Sequence, residues 1–127
     1  MSTAPRTVTL PTADHGPVTL PEPSWCAGHT HHDPDTLRAD LIHAGHSIEC
    51  AHLGRTLLVA QLVQSPHATT SAPRLGGPTP GVSVWPLGLT LDPVSLYGLA
   101  AGLDAFADRL RGLADDLAAV LAGGEGR

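Results

Sequence analysis

The stretch DPVSLYGLAAGLDAFADRLRGLADDLAAVLAGG, residues 92–124, decides the fold class. Asp92 suits an N-cap, and Pro93 suits the first helical position, where its missing N–H is no loss. Apolar residues then fall at Leu96, Leu99, Leu103, Phe106, Leu110, Leu113, Leu117 and Val120, in steps that alternate three and four. Gly123-Gly124 ends the pattern, so the spacing predicts one helix from Pro93 to Ala122. Ala100, Ala107, Ala114 and Leu121 widen the stripe. That breadth suits a helix lying on a sheet, burying Leu96, Leu99, Leu103, Phe106 and Leu110. Its distal half, around Leu113, Leu117, Val120 and Leu121, runs past what a small sheet can cover. A homodimer through this helix is therefore the second expectation.

Upstream, the pattern changes to strands. RTLLVAQLVQ, Arg55–Gln64, is the best strand in the chain, apolar on most of both faces and so well covered. Ser47–Leu53 is a weaker strand before it, with Gly54 at the bend. Gly81–Leu87 is another, and its Pro86 places it at an edge or near its end. Val8-Thr9-Leu10-Pro11 recurs as Val18-Thr19-Leu20-Pro21 around the turn signal Asp14-His15-Gly16. The echo reads as a hairpin or as one strand behind a look-alike; the second copy, Pro17–Leu20, is taken as the strand because chain starts are usually loose. The expected fold is α+β, a small antiparallel sheet of three to four strands covered by one long C-terminal helix. Residues 1–16 are expected as a flexible tail, 17–122 as one domain containing a flexible loop at 65–80, and 123–127 as a disordered tail.

At 127 residues the chain has room for one modest core. The net charge is −5, and all seven basic residues are Arg. Residues 1–54 carry −4, 55–91 carry +2 and 92–127 carry −3, so no region is strongly basic. With one Phe and one Tyr, this argues against nucleic-acid binding. No apolar run is long enough to span a membrane, and no export signal is recognised at the start, so a cytoplasmic protein is expected.

The chemistry concentrates between Cys26 and His52, where Cys26, His29, His31, His32, His43, His46, Cys50 and His52 fall. Zinc favours thiolate sulfur and imidazole nitrogen in a set of four. Cys26-Ala27-Gly28-His29 is a close ligand pair, with Gly28 letting the backbone curl so that both side chains converge. The second pair is His43 with His46, or His46 with Cys50. The bland alternatives are a solvated polar loop at His29–Asp33, buried free thiols at Cys26 and Cys50, and solvated imidazoles at His15 and His67.

The segment Pro23-Ser24-Trp25-Cys26-Ala27-Gly28-His29, followed by His43-Ala44-Gly45 and a strand–loop–strand–helix tail, resembles the small actinobacterial domain of unknown function DUF6907. The matching positions are Val18-Thr19-Leu20, Pro23, Trp25, Cys26, His29 and His43, and the resemblance covers roughly residues 17–121. It implies a shared site without an activity. Neither His46 nor Cys50 matches a position of that pattern.

The leading expectation is a zinc-binding module that acts by interaction with a protein partner, with Cys26, His29, His43 and His46 as ligands. A metal cross-link would supply folding energy to residues 21–54, which are poor in apolar side chains. A zinc hydrolase with an open coordination position and Glu49 or Asp33 as general base is the first rival. A metal-free interaction domain is the other.

Overall fold

The computed structural model describes residues 6–69 and 76–123. It divides the chain after Asp92, into a β unit, Met1–Asp92, and a helical unit, Pro93–Arg127, whereas the sequence reading ran one domain over 17–122. The architecture is α+β, with antiparallel sheets and one long C-terminal helix. Among the described residues no helix is long and apolar enough to cross a membrane.

The β unit opens with a hairpin, β1 (Thr7–Thr12) and β2 (Gly16–Pro21), which forms a two-stranded sheet. Its register sets Val8 against Leu20 and Leu10 against Val18. One face therefore carries Leu10 and Leu20, both buried with Leu41 and flanked by Val8 and Val18. The other face carries Thr9 and Thr19, whose hydroxyls lie 2.7 Å apart. The Thr12 hydroxyl donates to the Gly16 carbonyl at 2.8 Å and accepts from the His15 N–H at 3.0 Å, which closes the turn. The repeat is thus a hairpin, and Thr7–Thr12 is not part of a tail. Each copy is the other's partner, and pairing them creates the apolar face that neither has alone. The tail expectation for residues 1–5, like that for 124–127, lies outside the described residues.

A five-stranded sheet follows, with β5 (Arg55–Gln64) at its centre. Along one edge β5 pairs first with β4 (Ile48–His52) and at its far end with β3 (His43–Ala44). Along the other it pairs with β6 (Gly81–Trp85), which in turn pairs with β7 (Leu89–Leu91). Leu53 and Gly54 join β4 to β5 with φ of 52° and 73°, the left-handed pair that a two-residue hairpin needs. β3 and β7 were not foreseen, because strands of two and three residues carry no readable period. The 65–80 loop is tied at its base: the Ser65 N–H donates to the Gly77 carbonyl at 2.9 Å and Gln64 Nε2 to the Pro78 carbonyl at 2.8 Å. Ser65 and Gly77 are buried, so this part is not the loose surface loop expected, and residues 70–75 lie outside the described residues.

The helix α1 (Pro93–Leu121) has 29 residues and ends within one residue of the predicted boundary. None of its residues is buried. Leu96 and Leu99 are half-buried, and the stripe from Leu103 onward is exposed. Periodicity shows which residues share a face and leaves open what packs against it.

Candidate metal centre

The site is assembled where the hairpin hands over to the loop and where the loop enters the second sheet. Pro21 ends β2, and the Glu22 N–H donates to the Arg6 carbonyl at 2.9 Å, which holds Glu22 at the hairpin's open end. The chain then turns, with the Cys26 N–H on the Pro23 carbonyl at 3.1 Å and the Ala27 N–H on the Ala44 carbonyl at 2.8 Å. The second of these bonds brings Cys26 against β3, and β3 carries His43. Gly28 has φ 103°, a conformation that side-chain-bearing residues rarely adopt, and it redirects the chain so that His29 folds back towards Cys26. Two further bonds, Ala13 N–H to the Thr36 carbonyl and Arg38 N–H to Asp14 Oδ1, tie the hairpin's turn to the same loop.

Trp25 stands at the base of this loop, half-buried, edge-on to His43 with ring centroids 6.4 Å apart. It also explains Gly45. A Cβ there would meet the Trp25 carbonyl oxygen at 3.1 Å and the indole at 3.7 Å, so the glycine lets the tryptophan close on β3.

Four side chains meet inside. One donor atom from each of Glu22, Cys26, His29 and His43 can be chosen so that all lie within 4.8 Å of one another. Glu22 Oε1 is 2.9 Å from His43 Nδ1 and 3.1 Å from His29 Nε2, and Cys26 Sγ is 3.5 Å from His29 Nε2. The expectation put His46 in the fourth position; the residue the structure brings there is Glu22. His46 is exposed, as is Cys50, and neither belongs to the group. Glu49 accepts a hydrogen bond from Thr56 on the neighbouring strand, and Asp33 accepts one from the Asp35 N–H in its own turn. His67, read as solvated, is half-buried with its Nε2 unpaired, and burial and Arg38 lower its pKa.

The donor set fits a metal ion. Bonds of about 2.0–2.3 Å in a tetrahedron set neighbouring donors about 3.3–3.6 Å apart, close to the separations found. His43 is 1% exposed, and its Nδ1 faces Glu22 Oε1 at 2.9 Å. A carboxylate oxygen and an imidazole nitrogen held this close are placed to share one cation.

Electrostatics agree. Burial pushes the Glu22 carboxyl up, but hydrogen bonds from His29 and Cys26 and the charges of His29 and His43 outweigh it and hold it below the usual range. Burial and the Glu22 carboxylate raise the Cys26 thiol. Burial lowers His43, and His29 adds to this against the pull of Glu22. A cleft of about 300 Å³ lined by Arg6, Thr7, Val8, Glu22, Cys26, Ala27 and Gly28 opens onto two of the four donors and offers an entry path. Glu22 was missed because a lone carboxylate is common in sequence; its signals were its place four residues before Cys26 and its flanking prolines, Pro21 and Pro23.

A family model described as Domain of unknown function (DUF6907) matches residues 7–119, from β1 into the last turns of α1. No curated protein and no solved structure matches the chain.

Proposed function

The chain belongs to the DUF6907 family, and since that family has no assigned activity we propose from the site itself that it is a zinc-binding module, with Glu22, Cys26, His29 and His43 as the ligands. The observation that carries this is the convergence of one donor atom from each of Glu22, Cys26, His29 and His43 to within 4.8 Å of one another. Zinc is the ion because one thiol, two imidazoles and one carboxylate form the borderline set it prefers. The metal is structural: four protein donors complete a tetrahedral shell, whereas hydrolytic zinc keeps a position for water. It would pin the hairpin end, the 26–29 turn and β3 to one point, in a segment whose own apolar core is only Leu10, Leu20 and Leu41. The module acts by binding a protein partner.

The cleft beside Glu22 and Cys26 supports one rival, a hydrolase in which water displaces Glu22. X-ray absorption on the zinc-loaded protein separates the two, since a shell of one sulfur, two imidazoles and a non-carboxylate oxygen belongs to the rival. The primary test is metal content. Purified protein should hold one zinc per chain and unfold more readily in chelator; metal-free protein with unaltered stability in chelator would overturn the proposal.

A further inference from the structure

We infer that α1 is a self-association element, pairing antiparallel with a second copy of this chain over Leu103–Val120. Leu103, Phe106, Leu110, Leu113, Leu117 and Val120 continue one three-four seam, each 43–64% exposed. Such a seam is the pattern by which helices interlock side by side. The charged residues of α1, Asp104, Asp108, Arg109, Arg111, Asp115 and Asp116, all lie off it.

The charges also choose the partner and its direction. Arg111 is engaged on its own helix, with Nη1 2.9 Å from Asp108 Oδ1. Arg109 and Asp116 have no such neighbour. The residues three and four positions from Arg109 are Ala105, Phe106, Gly112 and Leu113, and those from Asp116 are Gly112, Leu113, Ala119 and Val120. Each immediately precedes a seam leucine, so both flank the seam on the same side. In a parallel pair that flank would face the opposite one, which carries Ala100, Ala107, Ala114 and Leu121 and has no charge to offer. In an antiparallel pair like flanks meet. Setting Leu110 against Leu113 of the second copy places Leu103 against Val120 and Phe106 against Leu117. It also brings Arg109 beside Asp116 of the second copy, twice, across the twofold axis. The other flank then sets Ala107 against Ala114, small enough for close backbone approach. This register spans 103–120 and leaves out Leu96 and Leu99, the seam residues already half-buried in the single chain.

Analytical ultracentrifugation of the full chain tests this, up to roughly 100 μM, where mass action favours even a micromolar dimer. The wild type should dimerise. Arg109→Asp and Asp116→Arg should each weaken the dimer by about tenfold or more, since two attractions become two repulsions, and the combined variant should recover it. Both positions are exposed, so helicity by circular dichroism should not change. A wild type that stays monomeric overturns the proposal. A dimer that Leu110→Glu dissociates but that ignores the charge reversals overturns the antiparallel pairing.

Discussion

Glu22 Oε1 and His43 Nδ1 stand 2.9 Å apart, where the end of the N-terminal hairpin meets β3. A charged ligand is therefore the feature that makes the group hold a cation. Glu22→Gln keeps the shape and removes the charge, and zinc affinity should fall by about two orders of magnitude, on the scale expected for losing an ion-ligand bond. Competition against a chromophoric chelator measures it. His46→Ala, at an exposed position, should leave the affinity unchanged; the reverse pattern would restore His46 as the fourth ligand.

Gly28 tests whether the backbone shapes the site. Its φ is 103° and nothing lies within 4 Å of an added Cβ, so Gly28→Ala meets no clash and acts through strain alone. A cost of about 1–3 kcal/mol is expected for such a conformation, with weaker zinc binding because His29 swings away from Cys26. Equal denaturation midpoints for variant and wild type would show that the turn does not need this conformation.

These two residues also mark how far the sequence could be read. Cys26, His29 and His43 stood out because cysteine and histidine are rare and closely spaced, and Gly28 between the first two had a conformational reason to be there. Glu22 did not, because a carboxylate is surface currency until its neighbours are known. β5 and α1 were legible because ten and 29 residues hold a clear period. β1 was discounted because its strand character lies in pairing with β2, a tertiary fact. What covers α1 is a tertiary fact too: a stripe records that something covers it, and no residue in the stripe records what.

Leu41 is 1% exposed and joins the loop to the hairpin through Leu10 and Leu20. Leu41→Ala should cost about 2–5 kcal/mol from lost burial and the cavity left behind. In so small a core this is a large share of the stability. Urea unfolding measures it, and a loss below about 0.5 kcal/mol, far under that range, would mean the cluster is not the core of the hairpin.

The hairpin turn offers a change in the opposite direction. Leu53 has φ 52° and is 87% exposed, so it bears the left-handed penalty with no packing in return. Leu53→Asn would give the Asn-Gly pair that such turns prefer, and a gain of about 1 kcal/mol is expected in thermal or urea unfolding. A destabilised variant would reveal a contact for Leu53 that lies outside the single chain.

The protonation states fix how zinc binding should respond to pH. Burial and Glu22 raise the Cys26 thiol above its usual value, so it carries its proton at neutral pH and must lose it to bind. Burial lowers His43, so it is already neutral there, and Glu22, held below the usual range, is already ionised. Near pH 8 zinc should therefore displace about one proton, from the thiol; calorimetry in buffers of different ionisation enthalpy counts it. Acidification acts on both forms of the protein. A folded-state His43 pKa below its unfolded value means the unfolded chain takes up that proton first, so metal-free stability is intact above about pH 6.5 and declines as pH falls past it. Glu22 adds a further loss below its own unfolded value, since its ionised form is the one favoured by folding. Zinc should be released over the same descent, as protons compete for imidazole nitrogen and thiolate. Release of no protons near pH 8 would mean that Cys26 is not a ligand, whatever the metal content.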